Sequence, residues 1–249
     1  MPKISLAIIC KNSERTIRWC IQSAINIVDE IILLDSGSTD QTEAIAKKYN
    51  VRFVSGEWLG FGPQKEKVAQ LATHDWILSL DSDEALSHEL QQTIATLKEK
   101  DLSKDTLYAF PRRNFFLGRY LYHGEGYPDC CPRLFHRQHT HWSDDQAHEK
   151  LVGHKKIERL SGDILHHSSE SLMRYLQKQM SYAALQVEKV QKKSTGKLIL
   201  HCIFSPLVRF LKNYLLKKGF LDGRAGFVHC LCGALATFFK YFFALEKKE

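Results

Sequence analysis

The sequence predicts an α/β protein built on a mostly parallel sheet. Short apolar runs of four to six residues alternate with amphipathic segments over residues 1–85. Each run ends in polar residues, which is typical of a buried strand that leads into a loop. Strand–helix–strand units cross over right-handedly, so successive strands lie parallel and their carboxyl ends share one edge of the sheet.

The predicted elements follow in a regular order. The first strand, Ile4–Ile9, leads through loop 10–14 into a helical stretch that ends at Ile27. The second strand, Ile31–Leu34, ends at Asp35, and Thr39 or Asp40 caps a helix that runs to Tyr49. The third strand is Val51–Val54, the third helix Gln64–Ala72, and the fourth strand the run 76–80.

The triplet Asp81-Ser82-Asp83 directly follows the fourth strand. Carboxylates at the carboxyl ends of such strands lie where open α/β sheets bind ligands. Paired carboxylates there commonly hold a divalent cation against phosphates. Because Asn12, Glu14 and Asp35 follow the first two strands, the sequence predicts one polar site at this edge.

These motifs, in this order, resemble the signature of family 2 glycosyltransferases. The signature comprises Ser5 to Asn12, residues 35–40, the Gln64-Lys65 region and residues 80–84. The later segments Arg133-Leu134-Phe135 and His148-Glu149 are similar to the second half of that catalytic domain. The segment 220–223 narrows the resemblance to bacterial lipopolysaccharide-core β-1,4-glucosyltransferases.

The resemblance implies a GT-A fold over residues 1–160 that binds a nucleotide-sugar. UDP-glucose is the expected donor, and UDP-galactose, which differs from it at one hydroxyl, is the alternative. By position, Asp35 would hydrogen-bond the uracil, Asn12 and Glu14 would line the nucleoside pocket, and Asp81 would contact the ribose. Asp83 would bind the Mg²⁺ or Mn²⁺ ion that bridges the diphosphate. Lys65 is expected either to approach the diphosphate or nucleoside or to be an exposed surface lysine.

An inverting transfer needs a base that takes the proton of the acceptor hydroxyl on the face opposite the leaving group. The cluster 144–149 lies where the resemblance puts that base. We expect Glu149 to be the base and Asp145 the alternative, with His148 supporting the site or contacting the leaving group. A helix N-terminus with capping acids is the competing interpretation of this cluster.

Arginines and aromatic residues dominate the middle of the chain. Residues 108–116 alternate as in a strand and include Arg112 and Arg113, and the loop 122–127 is rich in aromatic residues. That loop suits the wall of a sugar-acceptor site. Both arginines, and Arg133, are expected either to serve phosphates or to be surface charges.

The cysteines indicate a reducing compartment. The chain has seven, an odd number, and they are scattered apart from the adjacent Cys130 and Cys131, so a disulfide framework is not expected. The histidines near them lack the spacing of a zinc site. Residues 1–10 are too short an apolar stretch for a signal peptide. We therefore expect a cytoplasmic enzyme.

The positive charge of the chain belongs to its last third. Residues 161–249 carry 14 Lys and Arg against 6 Asp and Glu, a net charge of +8 in a chain whose net charge is +7. Three apolar blocks alternate with these charges, which predicts basic amphipathic helices that lie on an anionic membrane surface. A bilayer-spanning helix over 225–245 is the alternative, although His229 and Lys240 interrupt it. The resemblance implies that the membrane surface is the inner face of the bacterial inner membrane. Aromatic residues within 238–243 are expected to insert, and the apolar density excludes a nucleic-acid partner.

With the resemblance, the sequence predicts an inverting, metal-dependent transferase that moves a hexose onto a heptose of the lipopolysaccharide inner core. The alternatives are a transferase for another surface polysaccharide or glycolipid, and an inactive nucleotide-sugar-binding protein at the membrane surface. A nucleotidyltransferase would need a glycine-rich phosphate loop after the first strand, and residues 10–14 contain no glycine.

Overall fold

A computed structural model describes residues 1–145, 149–167 and 171–248. The chain forms two compact units. The first comprises Met1–Arg112 and Asp129–His166, and the second comprises Arg113–Pro128 and the chain from His167 onward. The boundary expected between residues 160 and 161 stays a prediction.

The first unit begins with alternating strands and helices, which confirms the predicted α/β class. They are β1 (Ile4–Cys10), α1 (Ile17–Ala24), β2 (Glu30–Asp35), α2 (Thr42–Lys48), β3 (Arg52–Ser55), α3 (Phe61–Leu71) and β4 (Trp76–Asp81). The strands pair in parallel in the order β3-β2-β1-β4. Their carboxyl ends therefore share one edge, and this edge carries the candidate site.

The rest of the first unit adds further strands, most of them antiparallel to their neighbours. The elements are β5 (Glu84–Leu86), α4 (His88–Lys98), β6 (Thr106–Phe116), β8 (Asp129–His136), β9 (His141–Trp142), β10 (Leu151–Val152), β11 (Lys156–Arg159) and β12 (Ile164–His166). Strand β8 lies between β4 and β6, antiparallel to both. Strands β9 and β10 form a separate hairpin, and β12 pairs with β5, whereas β11 pairs with β6 in parallel. The sheet is thus mixed, and its parallel half is the part that sequence periodicity predicts.

The core has one apolar layer on each face of the parallel strands. All seven residues of β1 are buried. Its side chains alternate between the layers, with Ile4, Leu6 and Ile8 in one and Ala7 and Ile9 in the other. A strand buried on both faces reads as a continuous apolar run, which is why the sequence locates it well.

Several helix boundaries differ from the expectation. The first helix ends at Ala24 and not at Ile27. The third begins at Phe61, three residues earlier than expected, and ends at Leu71. The second begins at Thr42, after Gln41, although the Asp40 carboxylate accepts the Thr42 N–H at 3.0 Å. Propensity places such ends only to within a turn, because tertiary contacts decide them.

The second unit is largely helical. It contains β7 (Arg119–Tyr120), which pairs with the last residues of β6. Its helical elements are α5 (Leu172–Leu185), α6 (Val187–Val190), α7 (Thr195–Leu211), a π-helical turn (Lys212–Leu216), a 3₁₀ turn (Gly219–Asp222) and α8 (Gly223–Glu246). Helix α8 packs against α5, α6 and α7. The stretch Gly219–Glu246 is long and apolar enough to cross a membrane, but half of its most apolar window is buried within the protein.

The 220–223 segment has a structural role within the second unit. Asp222 is buried, and its Oδ2 accepts the N–H groups of Tyr122 and His123 at 3.0 and 2.8 Å. Its Oδ1 lies 3.2 Å from His123 Nδ1. The carboxylate therefore anchors the aromatic loop 122–127 to the start of α8.

Candidate active site

The carboxyl ends of the three central strands lie side by side. Cys10 at the end of β1 pairs with Asp35 at the end of β2. Ile9 pairs with Asp81 at the end of β4. The polar loops that follow these strands therefore begin at one edge of the sheet, as the parallel arrangement requires.

Hydrogen bonds join the loops after β1 and β2. Asn12, which adopts a positive φ of 49°, accepts the Thr39 N–H through Oδ1 at 2.8 Å. Glu14 accepts the Gln41 N–H at 3.1 Å and donates its own N–H to Asp40 at 3.0 Å. The predicted nucleoside-pocket residues Asn12 and Glu14 thus hold the two loops together and stay exposed at the surface.

Asp35 is nearly buried and organises the loop that follows it. Its Oδ2 accepts the N–H groups of Gly37 and Ser38 at 3.0 and 2.8 Å, and the Ser38 hydroxyl donates to Oδ1. Cys10 Sγ lies 3.5 Å from Oδ1. Burial, and then the Asp35 charge, raises the pKa of this thiol, so it stays protonated and donates. A uracil contact by Asp35 stays a prediction.

Lys65 lies at the centre of the site. Its ammonium is 2.9 Å from Asp81 Oδ1 and 2.7 Å from Glu149 Oε1, and the side chain is 5% exposed. The Trp142 ring lies under it, 5.0 Å from the ring centroid. The alternative of an exposed surface lysine is therefore wrong, because the N-terminal half of α3 points this side chain into the site.

A buried ion-pair network continues from Asp81. Arg133 Nη2 lies 3.0 Å from Asp81 Oδ2 and 2.6 Å from Glu84 Oε1. Arg112 contacts Glu84 at 3.4 Å and Asp129 at 2.6 Å. Arg133 and Glu84 are buried, so the alternative of a surface charge is wrong for Arg133. Arg113 lies in the second unit, its guanidinium 4.2 Å from the Tyr122 ring centroid.

The charge state of Asp81 follows from this network. Burial alone would raise the pKa of its carboxyl group. The charges of Arg133 and Lys65 outweigh that effect and hold the pKa far below its usual value. Asp81 therefore remains an anion at any physiological pH.

Asp83 lies beside a histidine that sequence reasoning missed. The Asp83 Oδ2 atom is 3.5 Å from His166 Nε2, at the end of β12. A carboxylate oxygen and an imidazole nitrogen at this separation fit one divalent transition-metal ion. Among the described residues no three His, Cys, Asp or Glu side chains form a metal-binding group, so phosphate oxygens and water would complete such a coordination shell.

The loop of the β9–β10 hairpin carries the predicted base. Glu149 reaches Lys65, whereas the Asp145 carboxylate accepts the Ser143 hydroxyl at 2.8 Å and is exposed. His148 lies outside the described residues. The described part of this loop is not helical, so the helix N-terminus interpretation does not hold for residues 144, 145 and 149.

The hairpin loop meets the start of α3 at a glycine. Gly62 donates its N–H to the Asp145 carbonyl at 3.2 Å. A Cβ at this position would lie 2.0 Å from the Ser143 carbonyl oxygen. The close approach that brings Glu149 to Lys65 therefore requires glycine.

Comparison with known proteins agrees with this architecture. The sequence profile described as glycosyl transferase family 2 matches residues 5–161. An uncharacterized glycosyltransferase of Rickettsia prowazekii is 30% identical over 96% of this chain and 86% of its own length. The lipopolysaccharide core biosynthesis glycosyltransferase LpsC of Rhizobium meliloti is 27% identical over 96% of this chain and 91% of its own.

A solved structure also matches part of the fold. Glucosyl-3-phosphoglycerate synthase from Mycobacterium tuberculosis, in complex with Mn²⁺, uridine diphosphate and glucosyl-3-phosphoglycerate, is 28% identical, with a TM-score of 0.36. The match covers 47% of this chain and 45% of that one, less than half the length of the synthase.

The fold and the matched profile define a glycosyltransferase with a GT-A fold. The chain belongs to glycosyl transferase family 2.

Proposed function

We propose that this chain is an inverting, metal-dependent glycosyltransferase that moves glucose from UDP-glucose to a heptose of the lipopolysaccharide inner core. The observation that carries the proposal is the ion-pair bridge in which Lys65 joins Glu149, at 2.7 Å, to Asp81, at 2.9 Å. This bridge supports the role of Glu149 as base, because it holds this carboxylate next to Asp81 at the end of β4. Donor and acceptor chemistry would then meet at one strand edge.

The donor's nucleoside would lie over the joined loops after β1 and β2. Asp35 would accept the uracil N–H, Asn12 and Glu14 would line the pocket, and Asp81 would contact the ribose. The loops are already linked by hydrogen bonds that Asn12 and Glu14 make with residues 39–41. A preorganised pocket loses less conformational entropy on binding.

Asp83 and His166 would hold the metal. A divalent ion supplies positive charge that stabilises the diphosphate as it leaves. Imidazole is a better ligand for Mn²⁺ than for Mg²⁺, which prefers oxygen. The pairing of Asp83 with His166 therefore favours Mn²⁺.

Glu149 would accept the proton of the attacking acceptor hydroxyl. Lys65 fixes the position of this carboxylate through its 2.7 Å contact. The diphosphate would offer the same ammonium a second anionic partner, so donor binding and the orientation of the base would be linked. Inversion follows if Glu149 and the leaving group lie on opposite faces of the sugar.

The acceptor and its setting are proposed from the relatives and from charge. LpsC, which is similar to 96% of this chain, is named for lipopolysaccharide core biosynthesis. Such an acceptor is lipid-linked, so the enzyme would act as a peripheral protein on the inner face of the inner membrane. The net charge of +8 over residues 161–249 supports contact with an anionic surface.

A panel of nucleotide-sugars tests the proposal. The full-length protein is incubated with each sugar, Mn²⁺ and heptose-terminated lipopolysaccharide, and the product anomer is read by NMR. We expect transfer from UDP-glucose with inversion, and its loss in Glu149→Gln. Transfer with retention, or no transfer from any donor, would refute the proposal.

A further inference from the structure

Helix α7 in the second unit presents an exposed apolar face. Two parallel ridges run along it with a spacing of four residues, which puts them on one side of the helix. The ridge residues are Ile199, Leu200, Ile203, Phe204, Leu207 and Val208, each between 48 and 60% exposed. A contiguous apolar surface of this kind marks an interaction site.

An open cleft of about 470 Å³ adjoins the end of these ridges. Phe204 and Val208 of the ridges line one part of it. Lys212 and Lys217 line another part. Apolar ridges and a cationic cleft therefore form one continuous amphipathic surface.

The π-helical turn explains why both lysines line the same cleft. Residues five apart in an α-helix point about 140° away from each other. In this turn the Lys217 N–H donates to the Lys212 carbonyl at 2.9 Å, a five-residue repeat. The wider turn brings positions 212 and 217 onto the same side.

The charge of the two lysines is not compensated within the cleft. Its acidic residue, Glu125, is already paired with the Arg209 guanidinium, whose Nε lies 3.1 Å from Oε2. Asn213 also donates to this carboxylate, at 3.0 Å. Within the described ranges neither Lys212 nor Lys217 has an ion-pair partner. The cleft therefore offers two free ammonium groups to an anion.

We propose that this surface docks on an anionic phospholipid bilayer, with a headgroup phosphate bound between Lys212 and Lys217 and the α7 ridges buried among the acyl chains. Only an amphiphile satisfies both the apolar ridges and the cationic cleft. A second copy of the chain would bring lysine against lysine, and a free phosphate would leave the ridges in water. The inference rests on the proposed membrane setting but not on the donor or the reaction.

This assignment makes α7 the helix that contributes the most exposed apolar face. The sequence favoured the aromatic residues within 238–243 of α8. Tyr241 is buried there, and Phe238 and Phe243 pack against the same apolar cluster of the second unit. Those three side chains hold α8 in place. The apolar side chains of α8 that are exposed as well, but only to between 39 and 46%, are Phe227, Leu231, Leu235 and Phe242, so α7 carries the more exposed apolar face.

Vesicle co-sedimentation of the full-length protein tests the proposal. Vesicles of phosphatidylcholine alone are compared with vesicles that also contain phosphatidylglycerol, without any nucleotide-sugar. We expect Lys212→Gln/Lys217→Gln to weaken binding to the anionic vesicles by about 30-fold, since each lysine near such a surface contributes ~1 kcal/mol. The control Lys189→Gln/Lys192→Gln removes the same charge from exposed positions outside the cleft. Its binding to the anionic vesicles should fall far less.

A second variant tests the ridges. Ile203→Gln/Leu207→Gln changes side chains that are already exposed, so the fold should persist, and we expect the binding that survives high salt to disappear. Equal losses in the two lysine pairs would overturn the headgroup site, because diffuse charge would then explain the binding. The proposal would also be overturned if inorganic phosphate displaced the protein from the vesicles and Ile203→Gln/Leu207→Gln bound them as well as the wild type.

Donor binding separates this inference from the proposed function. UDP titration of the same variants, without vesicles, should match that of the wild type. Wild-type protein that transfers sugar to a water-soluble heptoside yet ignores anionic vesicles would refute the docking surface alone. Vesicle binding by protein that transfers no sugar would refute the proposed function alone.

Discussion

Lys65 Nζ lies 2.7 Å from Glu149 Oε1, joining the N-terminal half of α3 to the hairpin loop 84 residues later. The same ammonium contacts Asp81 at 2.9 Å, so one nearly buried cation holds two carboxylates. Without it, Glu149 would lose this ion pair, and Asp81 would keep the one with Arg133. The geometry of the proposed base therefore depends on a residue outside its own loop.

Replacing Lys65 by Met should destabilise the protein and abolish transfer. Removal of one partner from a buried ion pair leaves uncompensated charge and costs about 3 kcal/mol. Urea unfolding measures this loss, and Lys65→Arg should recover most of it. A Lys65→Met protein with unchanged stability would show that the ion pairs contribute nothing.

Glu149→Gln should reduce turnover by ~10²–10⁴-fold while UDP binding persists, because the amide keeps the shape but cannot take a proton. Asp145→Asn is the matched control, since that carboxylate is exposed and bonds to Ser143. Single-turnover transfer assays read both variants. If Asp145→Asn is inactive and Glu149→Gln active, the two roles must be exchanged.

Gly62→Ala should displace the hairpin loop. The added Cβ would meet the Ser143 carbonyl oxygen at 2.0 Å, although alanine favours a helix more than glycine does. We expect transfer to fall about tenfold or more, since a displacement of ~1 Å can cost 10²-fold. UDP binding should remain. Gly56→Ala is the control, because a Cβ added there would have the flexible end of Lys67 as its nearest neighbour, at 3.4 Å. An equal loss of transfer in Gly56→Ala would contradict the explanation.

Asp40 gives the nucleoside loops a defined pH dependence. Burial would raise the pKa of its carboxyl group, but hydrogen bonds from Thr42 and the Glu14 N–H lower it overall. A group with a lowered pKa stabilises the fold above its unfolded value of about 3.9 and loses that effect as the pH falls. Asp40→Asn should weaken the hydrogen bonds that hold the proposed nucleoside loops in place. We therefore expect UDP to bind about fivefold more weakly at pH 7, which corresponds to ~1 kcal/mol, the typical cost of losing a helix cap.

The difference in UDP affinity between the wild type and Asp40→Asn should shrink only below about pH 4, where the Asp40 carboxylate begins to take up a proton. Calorimetric UDP titrations at several pH values measure it. A difference that disappears between pH 7 and pH 5 would contradict the assignment of this effect to the Asp40 carboxylate.

The sequence predicts the parallel half of the sheet because each strand is a local apolar run. Asp35 and Asp81 are found in the same way, as the residues that end such runs. Lys65 could not be placed in advance, since burial of one residue in a helical turn depends on the distant hairpin. The sequence does not predict the start of α3 at Phe61 for the same reason, because Gly62 in its first turn contacts the distant hairpin loop.

Contacts made by the antiparallel strands could not be predicted either. His166 lies 83 residues after Asp83, and its one local signal is its position at the end of a three-residue strand. Glu84 follows the Asp81 triplet and looks like a surface acid, yet it is buried between two arginines. Such long-range pairings follow from the register of β8 and β12, which apolar periodicity does not encode.

Calorimetric titration of UDP with and without Mn²⁺, in wild type and Asp83→Asn, tests the central claim most directly. We expect UDP to bind the wild type in a Mn²⁺-dependent manner, and Asp83→Asn to weaken this binding by about 100-fold or more. A residue that only hydrogen-bonds to a metal ligand typically costs about 10- to 100-fold when it is replaced, so a larger loss indicates that Asp83 itself binds the metal. Asp75→Asn, the same change just before β4 where Asp75 pairs with Arg137, should bind normally. Equal UDP binding by Asp83→Asn and wild type, or tight binding without metal, would contradict the account.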